Sequence, residues 1–320
     1  MSSSLNEPST TSTFSWSSLC ADALSSVSGC NISSEVQIPT FPAALMEFMK
    51  AAEDPDVEIR KLGKIIEYDP GLTLGLLKCV NVCTYGSQTR VRTAAEALVR
   101  MGLSGAKTYL MIVGLQSSTM SFESKLLNHR NFWNESMQKA LFARHAAELL
   151  NTDTEFAFMG GMLQDYILPI LTNQYDAEYL EYLKRDARDG RPLHEWEQER
   201  FGWNHASIGA YVASQWHLPD DLLCTIFLHH FIDLPLQAPE VELFSLFPAT
   251  LAALLPDQLR QVPNGLQRLL RADRQSKAFD LDSLTEKVDA ELETITQGHD
   301  RPVCLKPAVD TARSTMESSA

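Results

Sequence analysis

Six side chains beyond residue 130 of this 320-residue chain have the chemistry of metal or proton handling: Glu135, the pair Gln164-Asp165, His205 and the pair His229-His230. Carboxylates and imidazoles bind divalent cations and move protons, and helical bundles assemble such sites from inward side chains on facing helices. Gln164 weighs against catalysis. It stands directly before Asp165, where an imidazole would make a ligand pair, and a neutral amide is a far poorer ligand for a transition metal. Each residue also has a structural reading. Glu135 near a helix N-terminus favours the helix dipole, as His229 and His230 do at a helix C-terminus. Asp165 can bond a helix end, and His205 follows Asn204, a good N-cap. Eight histidines in 320 residues also bring such patterns together by chance.

The elements that must position these groups are helical. From Ile38 onward apolar residues recur at helical spacing, and no useful stretch alternates with period two, so the fold class is all-α, a multi-helical bundle with an N-terminal helical subdomain. Asp54-Pro55-Asp56 and Asp69-Pro70 each stop one helix and cap the next. Thr93-Ala94-Ala95-Glu96 is a capping box, and Gly102 ends that helix. A further helix runs from about 104 to 116 and carries the apolar run Leu110 to Leu115. After a polar break the spacing predicts helices at roughly 131–150, 154–172, 176–188, 194–200, 204–216 and 220–232. From Leu234 prolines become frequent, with helical pieces expected at 240–255, 264–273 and 281–296. The domains therefore divide as a Ser/Thr-rich tail over 1–34, expected to be disordered, a domain over 35–235 (35–116 and 130–235), and a helical extension over 236–320 with a frayed end. Phe14, Trp16 and Leu19 form at most a transient cluster in the tail.

Composition narrows the function classes. A net charge of -14 argues against general nucleic-acid binding, which needs a basic footprint. The N-terminus lacks a signal-peptide pattern, no stretch is long enough to span a bilayer, and the cysteines show no disulfide spacing, so a cytoplasmic location is expected. Cys79 and Cys83 share a helix face, but a lone C-x3-C is a weak zinc signal, and buried thiols are the simpler reading. Gly160-Gly161 inside a helical run costs roughly 1–2 kcal/mol relative to alanine, and close helix approach is the simplest reason for it. No nucleophile elbow, phosphate-cradling loop or dinucleotide fingerprint is present.

Several short motifs occur in order: Ile38-Pro39-Thr40-Phe41-Pro42, Ile66-Glu67-Tyr68-Asp69-Pro70-Gly71-Leu72, Val80-Asn81-Val82-Cys83-Thr84-Tyr85-Gly86, and Val91 with the stretch from Thr93 to Gly102. Gly160-Gly161-Met162-Leu163-Gln164-Asp165, Glu199-Arg200-Phe201-Gly202-Trp203-Asn204-His205 and Leu218-Pro219 with His229-His230 follow. Over about residues 36–235 the chain resembles the HDOD domain, the HD-related output domain of bacterial signalling proteins. In catalytic HD relatives the resemblance places metal ligands as a His at Glu135, a His-Asp pair at 164–165, and a distal Asp near Ala249-Thr250. Asp165 alone is retained. With Glu135 it could hold a hard cation such as Mg2+ weakly, but not a two-metal or metal-hydroxide centre. The resemblance implies a non-enzymatic signal-transduction module with a protein partner, no metal, no cofactor, no nucleic acid and no membrane. The alternatives are a small-molecule sensor that binds a nucleotide without turnover, and a degenerate metal-dependent phosphohydrolase.

Overall fold

The computed structural model describes residues 15–25, 36, 40–83, 90–119, 122–185, 190–216, 218–233, 244–275, 279–296 and 302–318. Among these residues every regular element is a helix. The N-terminal part is built from α2 (Ala43–Ala51), α3 (Ile59–Glu67), α4 (Pro70–Cys83), α5 (Ala94–Met101) and α6 (Leu103–Thr119). They close on a shared core that includes Leu45, Phe48, Leu62, Ile66, Leu76, Leu98 and Leu110. Of the caps read from the sequence, those at Asp69 and Thr93 are formed, whereas the helix after Asp54-Pro55-Asp56 has Glu58 as N-cap and no side-chain cap bond. Asp69 Oδ1 accepts the N–H groups of Gly71 and Leu72, and the Thr93 hydroxyl accepts that of Glu96. Asn81 bonds both the N–H and the C=O of Val91, at 2.9 and 3.0 Å, which ties α4 to the segment leading into α5.

The second part centres on α7 (His129–Leu150), which α8 (Thr154–Leu163) covers along much of its length. The turn between them uses Asn151 in the left-handed conformation (φ 55°) and Asp153 as N-cap; asparagine tolerates that region better than most residues. Then come α9 (Leu168–Gln174), α10 (Asp176–Lys184), α11 (Leu193–Phe201), α12 (His205–Gln215) and α13 (Asp220–Leu228). The single helix expected over 154–172 is broken at Gln164–Ile167. Pro169 supplies no N–H and disfavours a helical residue before it, so a turn intervenes and α9 starts afresh. That break turns Asp165 inward.

Two other expectations are corrected. Within the tail, α1 (Trp16–Ser25) is an ordered helix that packs on α12 and α13, with Cys20 and Ala23 buried and Trp16 against Phe156. Residues 1–14, including Phe14, lie outside the described residues, as do the side chains of Cys79 and Cys83. At the other end, α14 (Phe247–Ala252), α15 (Gly265–Gln275) and α16 (Leu281–Thr296) are followed by α17 (Leu305–Ser318) where fraying was expected. Leu305, Val309 and Ala312 recur at helical spacing and are buried. They join Leu251, Leu269, Leu284 and Val288 in one core with Leu141, Phe142 and Ala146 of α7. No helix among the described residues is long and apolar enough to cross a membrane.

Candidate functional site

Glu135 and Lys139 are four residues apart on α7 and therefore share a face. Lys139 is only 3% exposed, yet it carries a charge. Its Nζ donates to Asp165 Oδ2 at 2.7 Å and to Asp257 Oδ2 at 3.1 Å. Burial alone would lower the Lys139 pKa, but the two carboxylates outweigh it and leave the ammonium above its ordinary value. Burial likewise opposes the charge on Asp165, and Lys139 with the neighbouring imidazoles holds that carboxyl well below its usual range. Asp257 is fixed in the loop after α14: its Oδ1 accepts the Leu259 N–H and its Oδ2 accepts from Gln261 Nε2. The protein thus supplies its own cation between two buried carboxylates.

Glu135 lies beside this triad. Gln258 donates to its Oε2 and Asn131 to its Oε1. Burial and the Asp257 charge push its carboxyl up to about 7. The space bounded by Glu135, Lys139, Asp165 and Asp257 amounts to about 10 Å³, at the lower limit for one water.

On the other side of Asp165 three imidazoles converge. Asn204 caps α12 with Ser207 reciprocating, which starts the helix at His205. His205 Nδ1 lies 2.6 Å from Glu197 Oε2, and its backbone N–H donates to the same oxygen. Tyr179 donates to Glu197 Oε1 at 2.6 Å. His229 Nδ1 donates to the Ile226 carbonyl at 2.7 Å. With both Nδ1 atoms so engaged, both Nε2 atoms face inward. His205 Nε2 lies 3.4 Å from His229 Nε2 and 2.8 Å from His230 Nε2. His230 stacks on His194 at 4.1 Å between ring centres. Burial opposes charge on all three rings. At His205 the Glu197 and Asp165 carboxylates prevail and raise it to about 9; His229 is pushed down to about 3, and His230 well below its ordinary value.

The structure therefore brings together Gln164, Asp165, His205, His229 and His230, and sets Glu135 at the edge of the adjoining polar pocket. The α7 residue that meets Asp165 is Lys139, one turn beyond Glu135. The carboxylate opposite is Asp257, whereas Ala249 lies against Gly160 and the Thr250 hydroxyl bonds the Phe247 carbonyl. A metal between Asp165 and Asp257 does not fit this chain, because the Lys139 ammonium stands there. Among the described residues the three histidines could hold one, their ligand atoms lying within 4.8 Å of one another. Sequence reasoning missed Lys139, Glu197 and Asp257. A lysine four residues after Glu135, on a face otherwise built of Phe132, Ser136 and Phe142, was the available signal for the first.

Residues 38–232 match the family model described as HDOD domain. A protein of Treponema pallidum (strain Nichols), described as uncharacterized, is 30% identical over 205 residues. That match covers 63% of this chain and 39% of the relative, so the chain spans about two fifths of the relative's length. Among solved structures, an HDOD domain protein from Geobacter sulfurreducens superposes with a TM-score of 0.58 at 17% identity, covering 93% of this chain and 96% of that one. A candidate phosphohydrolase from Shewanella amazonensis SB2B gives 0.57 at 19%, covering 91% and 93%. A candidate signal transduction protein from Marinobacter aquaeolei VT8 gives 0.55 at 14%, covering 95% and 64%. At such identities these likenesses speak for the fold alone.

Proposed function

Because the chain belongs to the HDOD family, we propose that it is a non-enzymatic signalling module whose HD-like core holds its shape and whose surface binds a protein partner. One observation carries this reading: the Lys139 ammonium occupies the space between Asp165 and Asp257 where a catalytic cation would have to sit. An ammonium cannot lower the pKa of a water or polarise a phosphoryl oxygen as a divalent ion does. The adjoining 10 Å³ also leaves no room for a nucleotide, since small-molecule sites occupy roughly 300–1,000 Å³. That weighs against a sensor reading at this position as well.

The partner surface is best supported on the N-terminal helices. An open groove of about 1170 Å³ runs between α3 and α5, with Ile59, Val91, Ala95 and Val99 as an apolar floor. Val99 is 71% exposed. Arg60, Arg90, Arg92 and Arg100 line it against two glutamates, Glu58 and Glu96, on a chain whose net charge is -14. A basic rim over an apolar floor suits an acidic amphipathic segment of another protein.

Two assays test the reading. Phosphomonoester and phosphodiester substrates with added Mn2+ are expected to show no hydrolysis that Asp165→Asn removes; Asp165-dependent turnover would overturn it. A labelled acidic amphipathic peptide is expected to bind, and to lose at least about tenfold in affinity in Arg60→Glu/Arg92→Glu. Equal binding of a basic peptide, or indifference to the charge reversal, would remove the groove from the proposal.

A further inference from the structure

The geometry points to a single transition-metal site of borderline hardness, formed by the Nε2 atoms of His205, His229 and His230 with Asp165 Oδ1 as fourth ligand. Three independent features support it. The first is spacing. A tetrahedral ion with bonds of about 2.0–2.1 Å keeps its ligand atoms about 3.3–3.4 Å apart. His205 Nε2, His229 Nε2 and Asp165 Oδ1 form a triangle of 3.4, 3.5 and 3.6 Å. Those lengths are too long for hydrogen bonds and right for one face of such a tetrahedron; His230 Nε2, 2.8 Å from His205 Nε2, sits closer than the fourth corner and has to draw back to bind.

The second feature is unmet demand. Asp165 Oδ1 is buried without a hydrogen-bond partner, and so is Gln164 Oε1 beside it. Buried acceptors are seldom left unpaired, because each costs about 1–3 kcal/mol.

The third is the layer behind the ligands. Glu197 receives His205 Nδ1 and the Ile226 carbonyl receives His229 Nδ1, so both rings turn Nε2 inward. A carboxylate or carbonyl behind a histidine is the usual support of a metal-bound imidazole. Three imidazoles and one carboxylate select Zn2+, Fe2+, Ni2+ or Co2+ over Mg2+ or Ca2+. Bound there, the ion would join the start of α12, the end of α13 and the turn after α8. With Lys139 holding the other face of Asp165, the site takes one ion.

The test is metal content on full-length protein purified without chelator or affinity metal, followed by Co2+ titration of the stripped protein. Close to one equivalent per chain is expected, with visible d–d bands of a four-coordinate Co2+ centre. Glu197→Gln, which removes no ligand, is expected to weaken Co2+ binding by about 10–100-fold. His230→Ala, at the accessible edge of the cluster, should lose the four-coordinate spectrum. Negligible metal together with no Co2+ bands would overturn the proposal, and two equivalents would overturn its single-ion count. The inference does not depend on the absence of turnover. Hydrolysis by a one-metal protein would sink the signalling reading and leave the site standing; an empty, inactive protein would do the reverse.

Discussion

At the scale of single residues, the defining change is the lysine between two carboxylates. Removing one partner of a buried ion pair leaves uncompensated charge and costs about 3–5 kcal/mol. Lys139→Met is therefore expected to destabilise by about that much in denaturant unfolding, and adding Asp165→Asn and Asp257→Asn should recover most of the loss. Glu135 makes a pH prediction. Its folded pKa of about 7 lies above the ordinary 4.5, so the folded state binds the proton more tightly. The resulting stabilisation is full below about pH 4.5 and is lost as pH rises through about 7, roughly 3 kcal/mol in all. Glu135→Gln has no proton to lose. Thermal melts from about pH 5 to about pH 8 should show wild type falling relative to the variant; parallel curves would refute it. Sequence reading found Asp165, His205, His229 and His230 because imidazole and carboxylate types carry their chemistry openly. Lys139 was passed over because a lysine is ordinarily a solvated residue, and Asp257 because nothing local to a Pro-Asp pair says which distant helix it will face.

At the scale of elements, close approach of α8 to α7 places the site. A Cβ at Gly161 would come within 2.7 Å of the Lys139 carbonyl and 2.9 Å of Ala140 Cα, both main-chain atoms of α7. The glycine pair read from the sequence as a contact between helices has that role, with Gly160 set against Thr225 and Ala249. Gly161→Ala must push α8 off α7 and is expected to cost about 1–3 kcal/mol. Gly75→Ala is the matched control: its Cβ meets nothing nearer than the Tyr109 hydroxyl at 3.4 Å, so helix propensity should make it neutral or stabilising by up to about 1 kcal/mol. Chemical denaturation of both variants decides it, and equal effects would refute the packing argument. Helix starts were legible where a side chain caps its own helix, as at Asp69, Thr93 and Asn204. The break at Gln164–Ile167 was missed because the apolar pattern continues through it while Pro169 interrupts only the backbone bonds.

At the scale of the whole molecule, α7 is the shared wall of two cores. One face packs with α8 and the site; the other carries Leu141, Phe142 and Ala146 into the core built from residues 247–312. The helices beyond the family match at residue 232 are thus part of the same packed body. A chain ending at residue 235 would leave that apolar surface in water. It is expected to aggregate or bind a hydrophobic dye, while the full chain unfolds with all of its helices in one calorimetric transition. A soluble, cooperatively folded 1–235 fragment would contradict this. Most of the extension was legible as helix from spacing. Its docking on α7 was not, because the pairing of two apolar faces far apart in sequence leaves no local mark. Residues 305–318 were hidden by their polar composition, only one narrow stripe of that helix being buried.

The same arrangement bears on how the protein is made. Leu141 and Phe142 leave the ribosome well before Val309, their distant companion in the same core. At synthesis rates of about 5–20 residues per second, roughly ten to thirty seconds pass between them. Through that interval the nascent chain carries a long helix with one finished face and one bare one. The helix at 305–318, rather than the family-defining segment, is what completes the cover of that bare face.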